Sequence, residues 1–190
     1  MDKIIKEIYD EVKNRCLLPS NAYGIGAWEH HIELVYKIAI DICDLYKADY
    51  NVVALSSLLH DIASVTNKEY TEEHHVIGAE IAEELLSKYD LTSDFIERVK
   101  KCILNHRGSK LVDKTTPEEV CIADADAMAH FYSVPSLLRM VYVEKGLSID
   151  EGSEFVYNKL ERSYNKLSEN GKKIINQYYE AAKLLLKKGC

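Results

Sequence analysis

The residues of this chain that could do chemistry are histidines and aspartates spaced along its first two thirds. The pair His60-Asp61 ends an apolar run that begins at Val52. A carboxylate and an imidazole in such a place need polar partners, because burying a charged group without them is costly. The chain offers candidates of the same types, which are His30, His31, His74, His75, His106, Asp124 and Asp126. Nitrogen and oxygen donors without thiolates suit a divalent metal such as Mn, Fe, Co, Ni or Zn.

Helical phase separates the two histidines of the first pair. His31 is followed at helical spacing by apolar residues that form one face of a helix, namely Val35, Ile38, Ile42 and Leu45. His30 lines up with a mixed and more polar face. We therefore expect His31 to point inward as a ligand, and His30 to lie at the surface or behind the ligands.

Helical phase places His106 but leaves two other pairs open. His106 shares a stripe with Val99, Cys102 and Ile103 and should face inward. Phase does not choose between His74 and His75, or between Asp124 and Asp126, because apolar or small residues follow on several sides. His60 and Asp61 lie about 100° apart on an ideal helix, but from a helix end both side chains could still reach metal.

The elements that must position these residues are helices. Apolar residues recur at helical spacing, and only three prolines occur. The patterns predict helices at about 2–15, 27–47, 51–62 (capped by Asn51), 73–88, 93–107 (ending near Gly108), Pro117 toward Tyr132, Pro135 to Gly146, Ser148 through Leu167, and after Gly171. Residues 63–71 are predicted to be a polar loop. The predicted fold is all-α and compact, with a metal site between helices.

Composition limits the class of protein. A chain of 190 residues with 47% hydrophobic residues is expected to form a single domain over 1–190. The net charge of −7 argues against a nucleic-acid polymer as partner, because a polymer needs a basic stripe. Five scattered cysteines without a C-x-x-C pair fit a reducing compartment. Without a signal-peptide pattern or a long apolar run, we expect a cytoplasmic protein with no membrane partner.

The pattern of these residues resembles that of the HD-domain metal-dependent phosphohydrolases. That family has a histidine on one helix, a His-Asp pair on the next and an aspartate on a later helix. The matching residues here are His31, His60, Asp61 and Asp126. The segment from His75 to Ala79 looks like the family's His-x-x-Gly-Ala helix, and in Asp124-Ala125-Asp126 the second aspartate is usually the ligand. The resemblance covers about 27–132, and the helices of 135–190 are expected to pack on this core.

The resemblance also implies a set of ligands. Two further histidines match the extra ligands of dinuclear family members, so the expected ligands are His31, His60, Asp61, His75, His106 and Asp126. Two divalent ions are expected (Mn, Fe, Ni, Co, Zn or Mg), with Asp61 as the bridge between them. Asp61 and His60 are also the expected catalytic residues. The Gly-Tyr-Pro signature of the cyclic-dinucleotide branch is absent.

The function implied by the resemblance is hydrolysis of a small phosphorylated molecule by metal-activated water, with a nucleotide as the first candidate. Lys68 and Arg107 are candidates for holding phosphate, with ordinary surface charge as the alternative for Lys68. Tyr23 and Trp28 could stack on a base or anchor a loop. The resemblance leaves two other functions open, a mixed-valent di-iron oxygenase and a non-catalytic nucleotide-binding module. The sequence also leaves a homo-oligomer open.

Overall fold

The fold is described from a computed structural model of the chain, with residues 1–106 and 114–187 described. Every regular element in these ranges is helical, which confirms the all-α prediction. The α-helices are α1 (Asp2–Cys16), α2 (Glu33–Tyr46), α3 (Tyr50–Leu59), α4 (Ile62–Thr66), α5 (His74–Leu86), α6 (Ser93–Asn105), α7 (Pro117–Tyr132), α8 (Val134–Arg139), α9 (Ile149–Lys166) and α10 (Glu169–Leu186). Trp28–Ile32 and Met140–Glu144 are π-helical, and Lys68–Tyr70 is a 3-10 turn. The predicted helix end near Gly108 lies outside the described residues.

The chain divides into two compact units, Met1–Ala125 and Asp126–Cys190, and the division falls within α7. A single domain over 1–190, with its C-terminal helices packed on the core, stays a prediction. At the centre of the first unit, every residue of α3 from Val52 to Leu59 is buried. A helix that is apolar on all sides must be enclosed by other elements, and α1, α2 and α6 pack around α3.

The helix is interrupted at His60-Asp61, between the end of α3 and the start of α4. The predicted helix over 51–62 ends at Leu59, and Asp61 has φ −113° and ψ 19°, a sparsely populated conformation common at functional sites. The prediction of a polar loop over 63–71 is wrong for residues 63–66, because α4 begins directly after Asp61 and its residues 62–65 are buried. Tertiary burial stabilises this five-residue helix, which is too short to show a helical period in the sequence.

Two helix starts also differ from the prediction. The cap of α3 is Asp49 and not Asn51, because the Asp49 carboxylate accepts the backbone N–H of Asn51 at 3.0 Å. The last helix begins at Glu169, where the Ser168 hydroxyl accepts the N–H of Gly171 at 3.2 Å. Gly171 therefore lies in the first turn of α10 and does not precede it. In both cases a short polar side chain satisfies N–H groups that the first turn leaves free.

The second unit contains the end of α7 and the helices that follow. Its helices α9 and α10 pack on each other, with the rings of Tyr164 and Tyr179 stacked 3.8 Å apart between centroids. The helix predicted from Ser148 begins with a capping box, in which Ser148 and Glu151 are reciprocal partners. Within the described ranges, no helix combines the length and the apolar content that crossing a bilayer requires.

Candidate metal centre

Four histidines from separate elements surround the buried carboxylate of Asp61. They are His31 in the first π-helical turn, His60 after α3, His74 at the start of α5 and His106 after α6. The Nε2 atoms of His31 and His60 lie 3.0 and 3.4 Å from Oδ2 of Asp61. Those of His74 and His106 lie 3.5 and 3.7 Å from Oδ1. Each carboxylate oxygen thus faces one pair of histidines.

Backbone carbonyls fix the orientation of three of these rings. In each case Nδ1 donates to the carbonyl oxygen three residues earlier. The pairs are His60 with Ser57 at 2.8 Å, His74 with Thr71 at 2.7 Å, and His106 with Ile103 at 2.5 Å. Because a carbonyl only accepts hydrogen bonds, Nδ1 carries a proton and Nε2 is the nitrogen that faces Asp61. Metal-binding histidines are held in this way, with the second ring N–H on a carbonyl or carboxylate.

The spacing of the Nε2 atoms fits a shared cation. The two Nε2 atoms are 3.3 Å apart in the pair of His31 and His60, and also 3.3 Å apart in the pair of His74 and His106. Two neutral ring nitrogens repel at this distance, unless a cation or a proton lies between them. Two nitrogens bound to one tetrahedral ion at about 2.0–2.1 Å would be about 3.3 Å apart. The donor types and their spacing therefore fit a divalent metal.

Two groups of side chains among the described residues could hold an ion. The first is Asp61 with His74 and His106, and the second is His31 with His60 and Asp126. Within each group, one ligand atom per residue lies within 4.8 Å of the others. Asp126 is on α7, directly after Ala125, the last residue of the first unit. Five of the six ligands expected from sequence thus fall in these groups, and their binding of metal stays a prediction.

The structure favours His74 over His75, which the sequence analysis had placed in the ligand set. His75 is buried one position further along α5, and its ring centroid is 5.7 Å from that of His74. Consecutive residues on a helix point about 100° apart, so only one can face Asp61 directly. The Thr71 carbonyl settles which one, because it holds the ring of His74 with Nε2 turned to Asp61. We therefore favour His74 over His75 as the ligand, and this choice stays a prediction.

The other open pairs are separated by burial and by hydrogen bonds. His30 is exposed, whereas His31 is largely buried, as helical phase predicted. Asp124 is buried and accepts a hydrogen bond from the hydroxyl of Tyr46. Asp126 is the aspartate that belongs to a candidate ligand group. Nothing in the sequence pointed to Tyr46, because it lies 78 residues from its partner.

The residues expected to bind substrate differ in burial and in their distance from Asp61. Trp28 is only 3% exposed and packs edge-on against Tyr9, which favours a loop anchor over a base-stacking role. Lys68 is exposed, and the structure shows it in a 3-10 turn. Arg107 lies outside the described residues. The hydroxyl of Tyr23 donates to Oδ2 of Asp61 at 2.9 Å, a contact that the sequence analysis did not anticipate.

The electrostatics of the site keep Asp61 ionised. Burial alone would raise its pKa, but the charge of His60 and hydrogen bonds from His106 and His31 hold the pKa well below the ordinary value. A divalent ion on Nε2 would compete with protons for these rings, as metal binding to histidine generally does.

Comparisons with known proteins identify a family and similar folds. Residues 28–130 match the HD domain. The fold resembles that of Bacillus subtilis YpgQ, with a TM-score of 0.70 and 17% identity, covering 94% of this chain and 89% of that one. It also resembles a predicted HD superfamily hydrolase from an uncultured Thermotogales bacterium, with a TM-score of 0.58 and 23% identity, covering 91% of this chain and 92% of that one. A structure of YpgQ in complex with ADP matches with a TM-score of 0.66 and 18% identity, covering 93% and 90% of the two chains.

Curated relatives are longer proteins that share part of their length with this chain. A tRNA (cytidine(56)-2'-O)-methyltransferase of Picrophilus torridus is 28% identical over 162 residues, which are 76% of this chain and 44% of the relative. Ribonuclease Y of Clostridium perfringens is 32% identical over 108 residues, which are 57% of this chain and 19% of the relative. The chain therefore spans less than half the length of each.

Proposed function

Because the chain belongs to the HD-domain family, we propose that it is a metal-dependent phosphohydrolase that acts on a small phosphorylated molecule, with a nucleotide as the preferred substrate class. The observation that carries the proposal is the position of Asp61 between two pairs of histidines. Its Oδ2 lies 3.0 Å from His31, and its Oδ1 lies 3.5 Å from His74. One carboxylate can thus serve two ions, with Asp126 as a further ligand.

In the proposed mechanism the side chains of this site bind and orient the ions, and the nucleophile is water. His60, His74 and His106 are preorganised by their backbone carbonyls, so little entropy is lost when they bind a cation. When bound, divalent ions lower the pKa of water toward about 7 and neutralise phosphoryl oxygens. Asp61 stays ionised at neutral pH because its pKa lies well below the ordinary value, so it can hold both ions together.

The choice of a small substrate depends on charge. The chain carries a net charge of −7, so the ions would be the main source of positive charge for an anionic substrate. An RNA polymer would need a row of basic side chains along its backbone. The nucleotide is proposed because YpgQ, which shares the fold, has been crystallised in complex with ADP.

The test is a substrate panel on metal-loaded protein. Nucleoside mono-, di- and triphosphates, simple phosphomonoesters and diesters, and a short RNA would be incubated with Mn²⁺, Co²⁺ or Ni²⁺, and the leaving group identified. We expect release of phosphate or pyrophosphate from a nucleotide, loss of activity in Asp61→Asn, and full activity in the exposed control His30→Ala.

Three results would contradict the proposal in different ways. Cleavage of RNA alone would overturn the choice of a small substrate. Oxygen uptake by an iron-loaded protein, without hydrolysis of any phosphate compound, would favour the di-iron oxygenase. Thermal stabilisation by nucleotides without turnover of any compound in the panel would favour a binding module.

A further inference from the structure

The loop between α1 and the first π-helical turn brings a phenol to the carboxylate at the centre of the site. The hydroxyl of Tyr23 donates to Oδ2 of Asp61 at 2.9 Å. The Tyr23 ring meets the ring of His31 edge-on, with centroids 5.7 Å apart. Because the acceptor is an ionised carboxylate, this hydrogen bond is of the stronger, charge-assisted kind.

The residues before Tyr23 form hydrogen bonds with α4 and with the 3-10 turn that follows it. The hydroxyl of Ser20 donates to the carbonyl of Thr66 at 2.7 Å, and the carbonyl of Ser20 accepts the N–H of Lys68 at 2.7 Å. The N–H of Ala22 donates to the carbonyl of Ser64 at 3.0 Å. Since α4 begins directly after Asp61, the loop and the carboxylate are fixed to the same short helix.

A buried asparagine fixes the turn that carries Tyr23. The side-chain amide of Asn21 donates to the carbonyls of Cys16 and Gly24 at 2.8 and 3.1 Å, and its oxygen accepts the N–H of Tyr23 at 2.8 Å. Gly24 has φ +67°, a left-handed conformation that favours glycine. The backbone of Tyr23 is therefore held on both sides, and the phenol is placed by the loop.

We propose that Tyr23 is a positioning residue that sets the rotation of the Asp61 carboxylate, so that Oδ2 faces His31 and His60 while Oδ1 faces the other pair. A freely rotating carboxylate could turn both oxygens toward one pair. The hydrogen bond from Tyr23 restricts rotation of the carboxylate, because the hydroxyl donates to Oδ2 from a fixed direction. The role rests on the proposed function, and it differs from stacking on a base, which would use the ring and not the hydroxyl.

The test compares two tyrosine-to-phenylalanine variants by Co²⁺ titration, followed by visible absorption. Tyr23→Phe keeps the ring and removes the hydroxyl that reaches Asp61. Tyr9→Phe is the matched control, because its hydroxyl donates to Glu33 instead. We expect Tyr23→Phe to bind Co²⁺ about 10-fold more weakly and with an altered absorption band. Tyr9→Phe should match the wild type.

A second variant tests the loop. Asn21→Ala keeps the phenol but removes the side chain that fixes its backbone, so we expect weaker Co²⁺ binding in the same direction as Tyr23→Phe. Wild-type affinity and spectrum in Tyr23→Phe would overturn the proposal. A lower melting temperature of that metal-free variant, with Co²⁺ binding unchanged, would assign Tyr23 a structural role only and would equally overturn it.

These outcomes separate the inference from the proposed function. If the wild-type protein binds no Co²⁺, the metal site itself is absent. The proposed function and the positioning role of Tyr23 are then both contradicted. If the wild type binds Co²⁺ with loss in Asp61→Asn but not in Tyr23→Phe, the proposed function stands and the positioning role is contradicted.

Discussion

The Nε2 atoms of His74 and His106 lie 3.3 Å apart, although 32 positions separate the two histidines in the chain. Close packing of α5 on α6 makes this possible. A Cβ atom at Gly78 would meet Ile103 at 3.4 Å and the backbone carbonyl of His60 at 3.8 Å, so a small residue lets the neighbouring elements approach. The geometry of the site therefore depends on a small residue at position 78, which is not itself a candidate ligand.

Adjacent histidines on α5 should respond differently to substitution. His74→Ala removes the ring whose Nε2 faces Asp61, so the protein should bind one divalent ion fewer and lose at least about 100-fold in activity. His75→Ala, one position further along, should retain the metal. Metal analysis and rate measurements on both variants check this. If His75→Ala loses the ion while His74→Ala keeps it, the assignment made from the structure is reversed.

The space at Gly78 predicts a graded response. Gly78→Ala places a methyl group at ordinary contact distance, and alanine favours a helix interior over glycine by about 0.5–1 kcal/mol. We expect this variant to be as stable as the wild type or more stable, with unchanged metal content. Gly78→Leu should separate α5 from α6, and overpacking of this kind costs about 1–3 kcal/mol.

Urea unfolding measures the stability of both variants, and metal analysis follows the site. A destabilised Gly78→Ala with normal Gly78→Leu would show that the two helices do not approach as described.

Glu118 predicts a pH-dependent part of the stability. Burial would raise its pKa, but hydrogen bonds from backbone N–H groups and from Thr116, together with the charge of Arg98, lower the pKa below the ordinary value of 4.5. A carboxyl with a lowered pKa in the folded state stabilises the fold above its unfolded pKa, and this contribution disappears as pH falls through the folded pKa. Glu118→Gln should therefore be less stable than the wild type at pH 7.

The difference in stability should narrow as pH falls below the ordinary glutamate range and through the lowered pKa of Glu118, where the wild-type carboxyl takes up its proton. Urea midpoints at pH 7 and pH 3.5 measure it. Glu84→Gln is the control, because its ion pair with Lys88 is highly exposed and contributes little. A gap between Glu118→Gln and the wild type that stays constant with pH would contradict the linkage.

The sequence predicted the parts of the site that depend on periodicity or on a family pattern. His31 was preferred to His30 because an apolar stripe follows it, and the burial of the two side chains agrees. The His60-Asp61 pair was expected at a helix end, and α3 does end at Leu59. These features are local, so a single segment of sequence contains the information.

The features that the sequence did not predict depend on distant parts of the chain. His74 and His75 have similar neighbours on α5, and the carbonyl of Thr71 distinguishes them only in the folded structure. The contact of Tyr23 with Asp61 joins residues 38 positions apart. The sequence predicts a polar loop where α4 lies, because the burial that stabilises this helix comes from surrounding elements. No helical period in the sequence reports such contacts.

The proposed function requires Asp61 to hold two divalent ions together. The most direct measurement is the metal content of tag-free protein after loading with Mn²⁺ or Co²⁺ and removal of free metal. We expect two ions per chain in the wild type and in His30→Ala, and loss of both ions in Asp61→Asn. Two ions retained by Asp61→Asn, or none bound by the wild type, would contradict the account.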